Sequence, residues 1–491
     1  MSLGTLKRYR LAALLCLGLI LRVIALESRG LAYDDAFSLL LAEKDLGAIV
    51  RGTAADTMPP LYYFLLHFWI AIGGEGVAWL RLLSVLTNLA AIGMLYLLVR
   101  RLAGGAAGLW ALLLAAISPL QVYHAQDLRM YALLELAVLG YAWFFLRIWQ
   151  GKGAWQNWLG LIGCGAAAMY THNLAIFGLI VPNVFLAFRR EWRWLGKLIA
   201  AQAGLALVML PWLLQLPGQL EKIQYAFWTP RPGVLEVVQV LILLVSHLPL
   251  PGVWLTFGLV LGLLVPTFMF WLGLRQFRGK PKPIFLLLLV VLPPLLLFAT
   301  SYVMRPVFVT RGFLYAALAF LSLAGLLLAD GWRKPAGAII LVGFIAGAAI
   351  GLPAHYSFAD FPRSPFQAAS QYLAGQLQLG DCLVHDNKLS FFPSLVYQRD
   401  LPQVFLADAP GSLNDTLALG SQQALGLYPA ADIQAAVGDA GRVFFVVFDQ
   451  AIQEYQANGL PDHPQLAWLR ERYPTVSKVE FNDLQVYQFS R

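Results

Sequence analysis

The sequence predicts a polytopic α-helical membrane protein that ends in a separate α/β domain. Three observations predict it. First, 59% of the 491 residues are hydrophobic and only 13% are charged, with a mean hydropathy of +0.66. That composition lies far outside the soluble range. Second, apolar runs recur from residue 11 to about residue 353. Third, the charge divides by position. From residue 360 onward there are 8 Lys/Arg against 14 Asp/Glu, a balance of −6, and the preceding residues carry +14. The net charge of +8 is therefore a basic membrane portion joined to an acidic tail. Basic residues between spans orient a protein in its bilayer, so the charge is no sign of nucleic-acid binding.

The first run, Leu11 to Leu26, follows basic residues but precedes no small-residue cleavage site, so it reads as a retained span. The basic clusters Lys7-Arg8-Arg10, Arg100-Arg101, Arg147 with Lys152, Arg189-Arg190-Arg193-Lys197, Arg275-Arg278-Lys280-Lys282 and Arg333-Lys334 are placed on the cytoplasmic side. This predicts about eleven transmembrane helices near 11–27, 80–99, 103–118, 129–147, 155–170, 173–188, 197–215, 252–274, 283–301, 312–329 and 336–353. The N-terminus is then inside and the acidic tail outside. Leu61–Ile72 and Val234–Leu248 do not fit as crossings and read as interfacial or re-entrant segments. Cys16, Cys164 and Cys382 lie far apart, which supports neither a disulfide framework nor a CxxC metal site.

In this topology Asp34, Asp35, Asp56, His124, Asp127, Arg129, His172, Lys222 and Arg311 all fall at or near the non-cytoplasmic face. Ionisable groups gathered at one bilayer edge point to chemistry, substrate or an ion path. Tyr33-Asp34-Asp35-Ala36-Phe37-Ser38 directly follows the first span. One acid of such a pair can cap the helix that follows, while the other takes a proton from a nucleophile or holds a divalent ion against a phosphate. Between the third and fourth spans, Ser118 to Tyr131 concentrates His124, Asp127 and Arg129 within six positions. The forked donors of Arg129 suit a phosphate oxygen, as do those of Arg311. Asp56 closes the first outer loop before Pro59-Pro60, which fix entry into the next segment. No Gly-rich phosphate loop stands in a strand-turn-helix context, and HExxH and GxSxG are absent. A substrate reaching this face from within the bilayer would be lipid-linked.

Tyr33-Asp34-Asp35-Ala36, Met58-Pro59-Pro60-Leu61-Tyr62-Tyr63 and Arg81-Leu82-Leu83-Ser84-Val85 together resemble the membrane glycosyltransferases of the protein mannosyltransferase type. That family has the GT-C fold, is glycosyltransferase family 39-like, and includes the bacterial aminoarabinose transferases. Ser118-Pro119 through Gln126-Asp127-Leu128-Arg129-Met130-Tyr131 resembles its second outer loop, and Arg311-Gly312-Phe313-Leu314 a late Arg-Tyr motif. Ser364 to Leu373 with Leu379-Gly380-Asp381 resembles the start of its outer domain. The resemblance covers the whole chain and is strongest over 30–131.

It implies a polyprenyl-phosphate-linked sugar donor, transfer at the extracytoplasmic face of a plasma membrane, and a glycan, lipid or protein acceptor. Asp34 matches the first-loop catalytic acid and Asp127 the second-loop acid. Asp35, His124 and Asp56 are expected to support or orient the acceptor, and Arg129, Arg81 and Arg311 to bind the lipid phosphate. No cofactor is required by the pattern; a divalent metal at Asp34 and Asp127 stays open. Two departures stand out: Met58 where a histidine usually precedes the prolines, and Gly312 where a tyrosine follows the arginine. The expected domains are a transmembrane domain, 1–355, including the outer loop 28–60, and a soluble extracytoplasmic α/β domain, 360–491. Two other readings remain: a transporter or flippase for a polyprenyl-linked glycan, which would repeat its charges at midplane, and a catalytically silent scaffold of the same fold.

Overall fold

The computed structural model describes all residues except 1–2, 152, 226–228, 230, 305, 360, 362 and 409–416. Lys152 of the third basic cluster and Asp360, the start of the expected outer domain, thus lie outside the described residues. The chain forms two compact units. One comprises Met1–Leu26 and Thr57–Ala359, the other Glu27–Asp56 and Asp360–Arg491. The outer loop that the sequence assigned to the membrane portion therefore packs with the C-terminal domain. The reason is a set of side-chain contacts across several hundred positions, described below.

The described residues of the first unit form helices joined by turns and loops. Among the described residues seven helices are long and apolar enough to cross a bilayer: Val77–Ala103, Tyr131–Trp149, Trp192–Leu213, Gly252–Gln276, Pro281–Val303, Thr310–Gly331 and Pro335–Ser357. An eighth span is made if Gly105–Ile117 and Pro119–Ala125, bent by 63°, are taken together. The count of eleven is not reached by this measure, although each expected span falls on helix. Trp155–Thr171 has only 17 residues. The segment after it is a 3-10 turn, Asn173–Ala175, followed by Ile176–Leu179 and Val181–Phe188. Leu3–Val23 has basic residues in its first half and Arg22 in its last turn. Leu61–Gly73 and Val234–Leu243, of 13 and 10 residues, are shorter than the ~20 residues a span needs.

Thr310–Gly331 is the central helix, with 94% of its apolar window buried. Its small residues permit this. A Cβ on Gly325 would come within 2.7 Å of the Ala107 carbonyl oxygen and 2.8 Å of the Ala111 nitrogen, so only glycine admits the backbone of Gly105–Ile117 this closely. Elsewhere large apolar side chains such as Val253, Leu264, Ile339 and Val342 face outward, as suits helices solvated by lipid.

The second unit contains a five-stranded sheet in the order β2-β1-β3-β5-β4. The strands are β1 Cys382–His385, β2 Gln403–Phe405, β3 Arg442–Phe448, β4 Thr475–Phe481 and β5 Leu484–Ser490. β2, β1 and β3 are parallel, while β5 runs antiparallel to β3 and β4. This is the partly parallel α/β unit the sequence pattern suggests. β3 is apolar on both faces: Val443, Phe445 and Val447 enter one core and Phe444, Val446 and Phe448 the other. Such a doubly covered strand reads as an unbroken hydrophobic run.

His385 at the end of β1 is 1% exposed, and burial pushes its imidazole down to about 3. Its ring nitrogens lie 3.2 Å from Ser390 Oγ and 3.2 Å from Gln403 Oε1, partners that a neutral ring satisfies. Below pH ~6.5 the unfolded chain takes up this proton while the folded chain does not, so stability falls as pH drops. The loss expected from this group is about 2 kcal/mol between pH 7 and pH 5. Melting curves at the two pH values check it: His385→Gln should show a smaller acid-induced drop in Tm than wild type.

Candidate active site

In the first unit the site is built on a helix break. Gly105–Ile117 ends at Ser118, whose extended backbone (ψ 120°) turns the chain. Pro119 then occupies the first position of Pro119–Ala125, where its missing N–H costs nothing. The Ser118 hydroxyl accepts from the Gln121 N–H at 3.5 Å. The new helix runs for two turns, and residues 126–130 stay irregular before Tyr131–Trp149 begins. His124, Gln126, Asp127 and Arg129 are thereby placed together, each at least 92% buried.

His124 Nδ1 and Asp127 Oδ2 are 2.9 Å apart. Gln126 Nε2 donates to the carbonyls of Arg22 and Ile24, both at 2.9 Å, and its Oε1 meets His355 Nε2 at 2.8 Å. The Tyr123 ring packs on three imidazoles, with centroids 4.9 Å from His124, 4.6 Å from His247 and 5.5 Å from His355. His247 is 6% exposed, and neither of its ring nitrogens finds a hydrogen-bond partner among the described residues. Burial and the neighbouring His124 and His355 push its basicity well below the ordinary range, against a smaller opposing effect of Asp127. Its imidazole is neutral.

Tyr131 carries the cluster onward. Its ring lies 5.5 Å from His124 and 6.4 Å from His172, with the Arg311 guanidinium 5.8 Å from its centroid. His172 Nδ1 accepts the Leu174 N–H at 3.1 Å, which caps the 3-10 turn. Burial, then the charges of Arg129 and Arg311, lower His172 to about 3. Two guanidiniums remote in sequence thus act on one buried imidazole. The forked donors of Arg129 and Arg311 suit the oxygens of an anion.

Arg81, expected at the phosphate, is 1% exposed and donates from Nη1 to the Leu26 carbonyl at 2.6 Å. That contact ties down the end of the first helical segment. Gly312 also has a local reason. A Cβ there would lie 2.5 Å from Leu174 Cδ1, so the Arg311 turn sits tightly on the His172 turn. Gly312→Tyr is expected to push these turns apart and cost ~1–3 kcal/mol, the usual price of overpacking; a Tm equal to wild type would contradict it.

A second polar group lies within the helices behind the break. Arg22, fully buried, donates to the Asn88 side-chain oxygen at 2.7 Å and to the carbonyls of Gly18, Ala115 and Ala116 at 2.9–3.1 Å. Asn88 Nδ2 donates to Gln121 Oε1 and Glu135 Oε2, each at 2.9 Å, and Gln121 Nε2 to Glu135 Oε1 at 2.7 Å. Arg22 therefore caps the carbonyls that the break at Ser118 leaves open, and the network ties five helical segments behind the site.

Asp34, Asp35 and Asp56 belong to the second unit. Tyr33–Ala42 is a helix, and its two acids differ in surroundings. Asp35 is 2% exposed, accepts the Ala32 N–H at 3.2 Å and lies 3.6 Å from Arg363 Nη1. Asp34 is only half-buried. Asp35 thus holds the helix start. Asp56 follows Leu46–Ala55, its N–H donating to the Gly52 carbonyl.

Residues of the C-terminal domain hold this loop along its length. Tyr397 Oη accepts the Leu31 N–H at 2.9 Å, Arg399 forms a two-pronged pair with Glu43 at 2.9 and 2.5 Å, and Ser421 donates to the Gly52 carbonyl at 3.1 Å. The Tyr33 ring packs on Phe392 at 5.4 Å, with Lys388 Nζ 5.6 Å from its centroid.

His247 and His355 escaped sequence reasoning. The available signal was rarity, since the chain has only seven histidines and both lie beside span ends on the face that carries His124. Arg22 and Glu135 gave a signal too, as charges inside apolar spans. Among the described residues no group of three or more His, Cys, Asp or Glu side chains could hold a metal ion.

Residues 57–214 match the family model described as dolichyl-phosphate-mannose-protein mannosyltransferase. No curated protein sequence matches the chain. Among solved structures, ArnT from Cupriavidus metallidurans is similar over 97% of both chains: in the apo state at 15% identity and TM-score 0.63, and bound to undecaprenyl phosphate at 14% and 0.61. The archaeal oligosaccharyltransferase AglB from Archaeoglobus fulgidus, in complex with an inhibitory peptide and a dolichol-phosphate, is similar over 100% of this chain and 75% of that one, at 12% identity and TM-score 0.54. The fold is thus the GT-C fold of the ArnT and protein mannosyltransferase type.

Proposed function

From this GT-C fold, with the mannosyltransferase-family match over 57–214, we infer that the chain is a membrane glycosyltransferase that takes a sugar from a polyprenyl-phosphate carrier. The observation that carries this reading is the grouping of Arg129 and Arg311 about His172, beside the His124–Asp127 pair. Their two guanidiniums suit the oxygens of a departing phosphate. ArnT, which shares the fold, is solved with undecaprenyl phosphate.

The chemistry is a single displacement. An acceptor hydroxyl or amine attacks the anomeric carbon, the bond from that carbon to the phosphate oxygen breaks, and polyprenyl phosphate leaves. Asp34 takes the acceptor's proton, and Asp35, fixed by Arg363, keeps the Asp34 turn in place. Asp127, oriented by His124, assists the acceptor. Arg129 and Arg311 offset the charge that grows on the phosphate. A phosphate monoester leaves without a strong general acid. Attack from the opposite side inverts the anomeric configuration, and a product with retained configuration would overturn this scheme. Arg81 acts as a positioning residue through its bond to Leu26. Asp56 holds the loop that carries Asp34. The setting is a plasma membrane with the N-terminus cytoplasmic and the C-terminal domain outside.

The test is transfer in proteoliposomes from a panel of polyprenyl-phosphate sugars, with membrane extract as the acceptor. Arg129→Gln is expected to lower kcat by ~10²–10³, the usual effect of removing one donor to developing charge. A kcat equal to wild type with a folded variant would remove Arg129 from the mechanism.

A further inference from the structure

At the other end of the helical unit lies a feature that the transfer reaction does not use. Gly252–Gln276 begins just after His247 and spans 25 residues, about 37 Å at 1.5 Å per residue. The turn joining it to Pro281–Val303 is therefore remote from the His124 cluster. Between these helices opens a cavity of about 730 Å³ with an almost wholly apolar wall that includes Met269, Phe270, Leu274, Ile284 and Leu287, and with Arg278 at its turn end. A second cavity of about 630 Å³ shares Phe277 and Pro283 with it and is lined by Lys280, Lys282 and Asp330.

The charges at this turn are distinctive. Arg275 stacks on Trp271 at 3.9 Å, and Asp330 is 3.8 Å from Lys334. Arg278, Lys280 and Lys282 are exposed and make no ion pair among the described residues. A basic loop by itself would only orient the chain. Here it borders an apolar cavity deep enough to take hydrocarbon. The combination calls for a ligand with an anionic head and an aliphatic tail; a free phosphate would leave the cavity wall uncovered. Basic pockets between membrane helices bind anionic headgroups by this complementarity.

We propose that this is a binding site for an anionic glycerophospholipid of the adjoining leaflet. An acyl chain fills the Met269–Leu287 cavity, and the headgroup phosphate sits on Arg278, Lys280 and Lys282. The proposal is independent of the transfer reaction.

The test is native mass spectrometry of the full-length protein, purified in detergent with equal phosphatidylglycerol and phosphatidylcholine. Wild type is expected to retain phosphatidylglycerol in preference. Each cation changed to Gln should weaken that preference about fivefold, the equivalent of ~1 kcal/mol per basic side chain near a charged surface. Leu274→Trp, which fills the cavity and leaves the cations intact, should reduce retention of both lipids. Equal retention of the two lipids by wild type would overturn the proposal. So would an unchanged preference in the Arg278→Gln/Lys280→Gln/Lys282→Gln variant, or a polyprenyl phosphate that wild type retains and that variant loses.

Discussion

Asp34→Asn is expected to lower sugar transfer by ~10²–10⁴-fold, the range that removal of a positioned general base produces. The amide keeps the shape of the side chain and loses the ability to take a proton. Asp35→Asn should behave differently. Asp35 caps its own helix and faces Arg363 at 3.6 Å, so its loss acts on stability and on the order of the Asp34 turn. Transfer in proteoliposomes, read together with the melting temperature, separates the two. Asp34→Asn should melt like wild type and fail to transfer, whereas Asp35→Asn should melt lower and retain part of its rate. Equal transfer by wild type and Asp34→Asn would remove Asp34 from the chemistry. Donor binding by a transfer-dead Asp34→Asn chain would show that the loss lies at the displacement step.

Glu135→Leu is expected to cost ~3–5 kcal/mol, because it leaves the buried guanidinium of Arg22 and the amides of Asn88 and Gln121 without their carboxylate. Glu135→Gln, which keeps one acceptor oxygen, should cost less. Heat resistance in detergent, followed by the monodisperse fraction on size exclusion, gives the order wild type, Glu135→Gln, Glu135→Leu. A Glu135→Leu protein as heat-resistant as wild type would show the network to be dispensable. Surviving Glu135→Leu protein should also transfer slowly, since Gln121 lies one turn from His124 on the same short helix and loses its bond to Glu135.

Much of the architecture was legible because the signals are local. The apolar runs gave the helices of the first unit, and the eleven expected spans all fall on helix. Length, breaks and, in Leu3–Val23, basic residues reduce the number able to cross. β3 was readable as a run dense in Val and Phe, β1 as a short strand over Cys382–His385, and Leu61–Gly73 as too short to span. The Ser118–Tyr131 loop was legible as a concentration of polar residues, and its His124–Asp127 pairing is a contact across three positions. By contrast, His247 and His355 reach the Tyr123–Tyr131 segment from far along the chain, and no period or spacing announces them. Arg311 was legible as a phosphate candidate, but its place over the Tyr131 ring was not.

By itself the sequence determined the class of the protein, because burial in lipid demands uninterrupted apolar helices and that demand is written in composition. It also singled out the loops proposed to carry chemistry, since charged groups at a bilayer edge are costly and few. Tertiary structure alone decided which of those groups lie together. Packing set Arg129 and Arg311 on one imidazole, turned Arg81 to the Leu26 carbonyl, and placed Arg22 on the carbonyls opened by the break at Ser118. It also decided that the loop 27–56 belongs with the C-terminal domain. Glu43–Arg399, Leu31–Tyr397 and Gly52–Ser421 each join residues more than 350 positions apart. Such pairs form only once both partners are folded, so neither partner's local sequence carries a trace of the other.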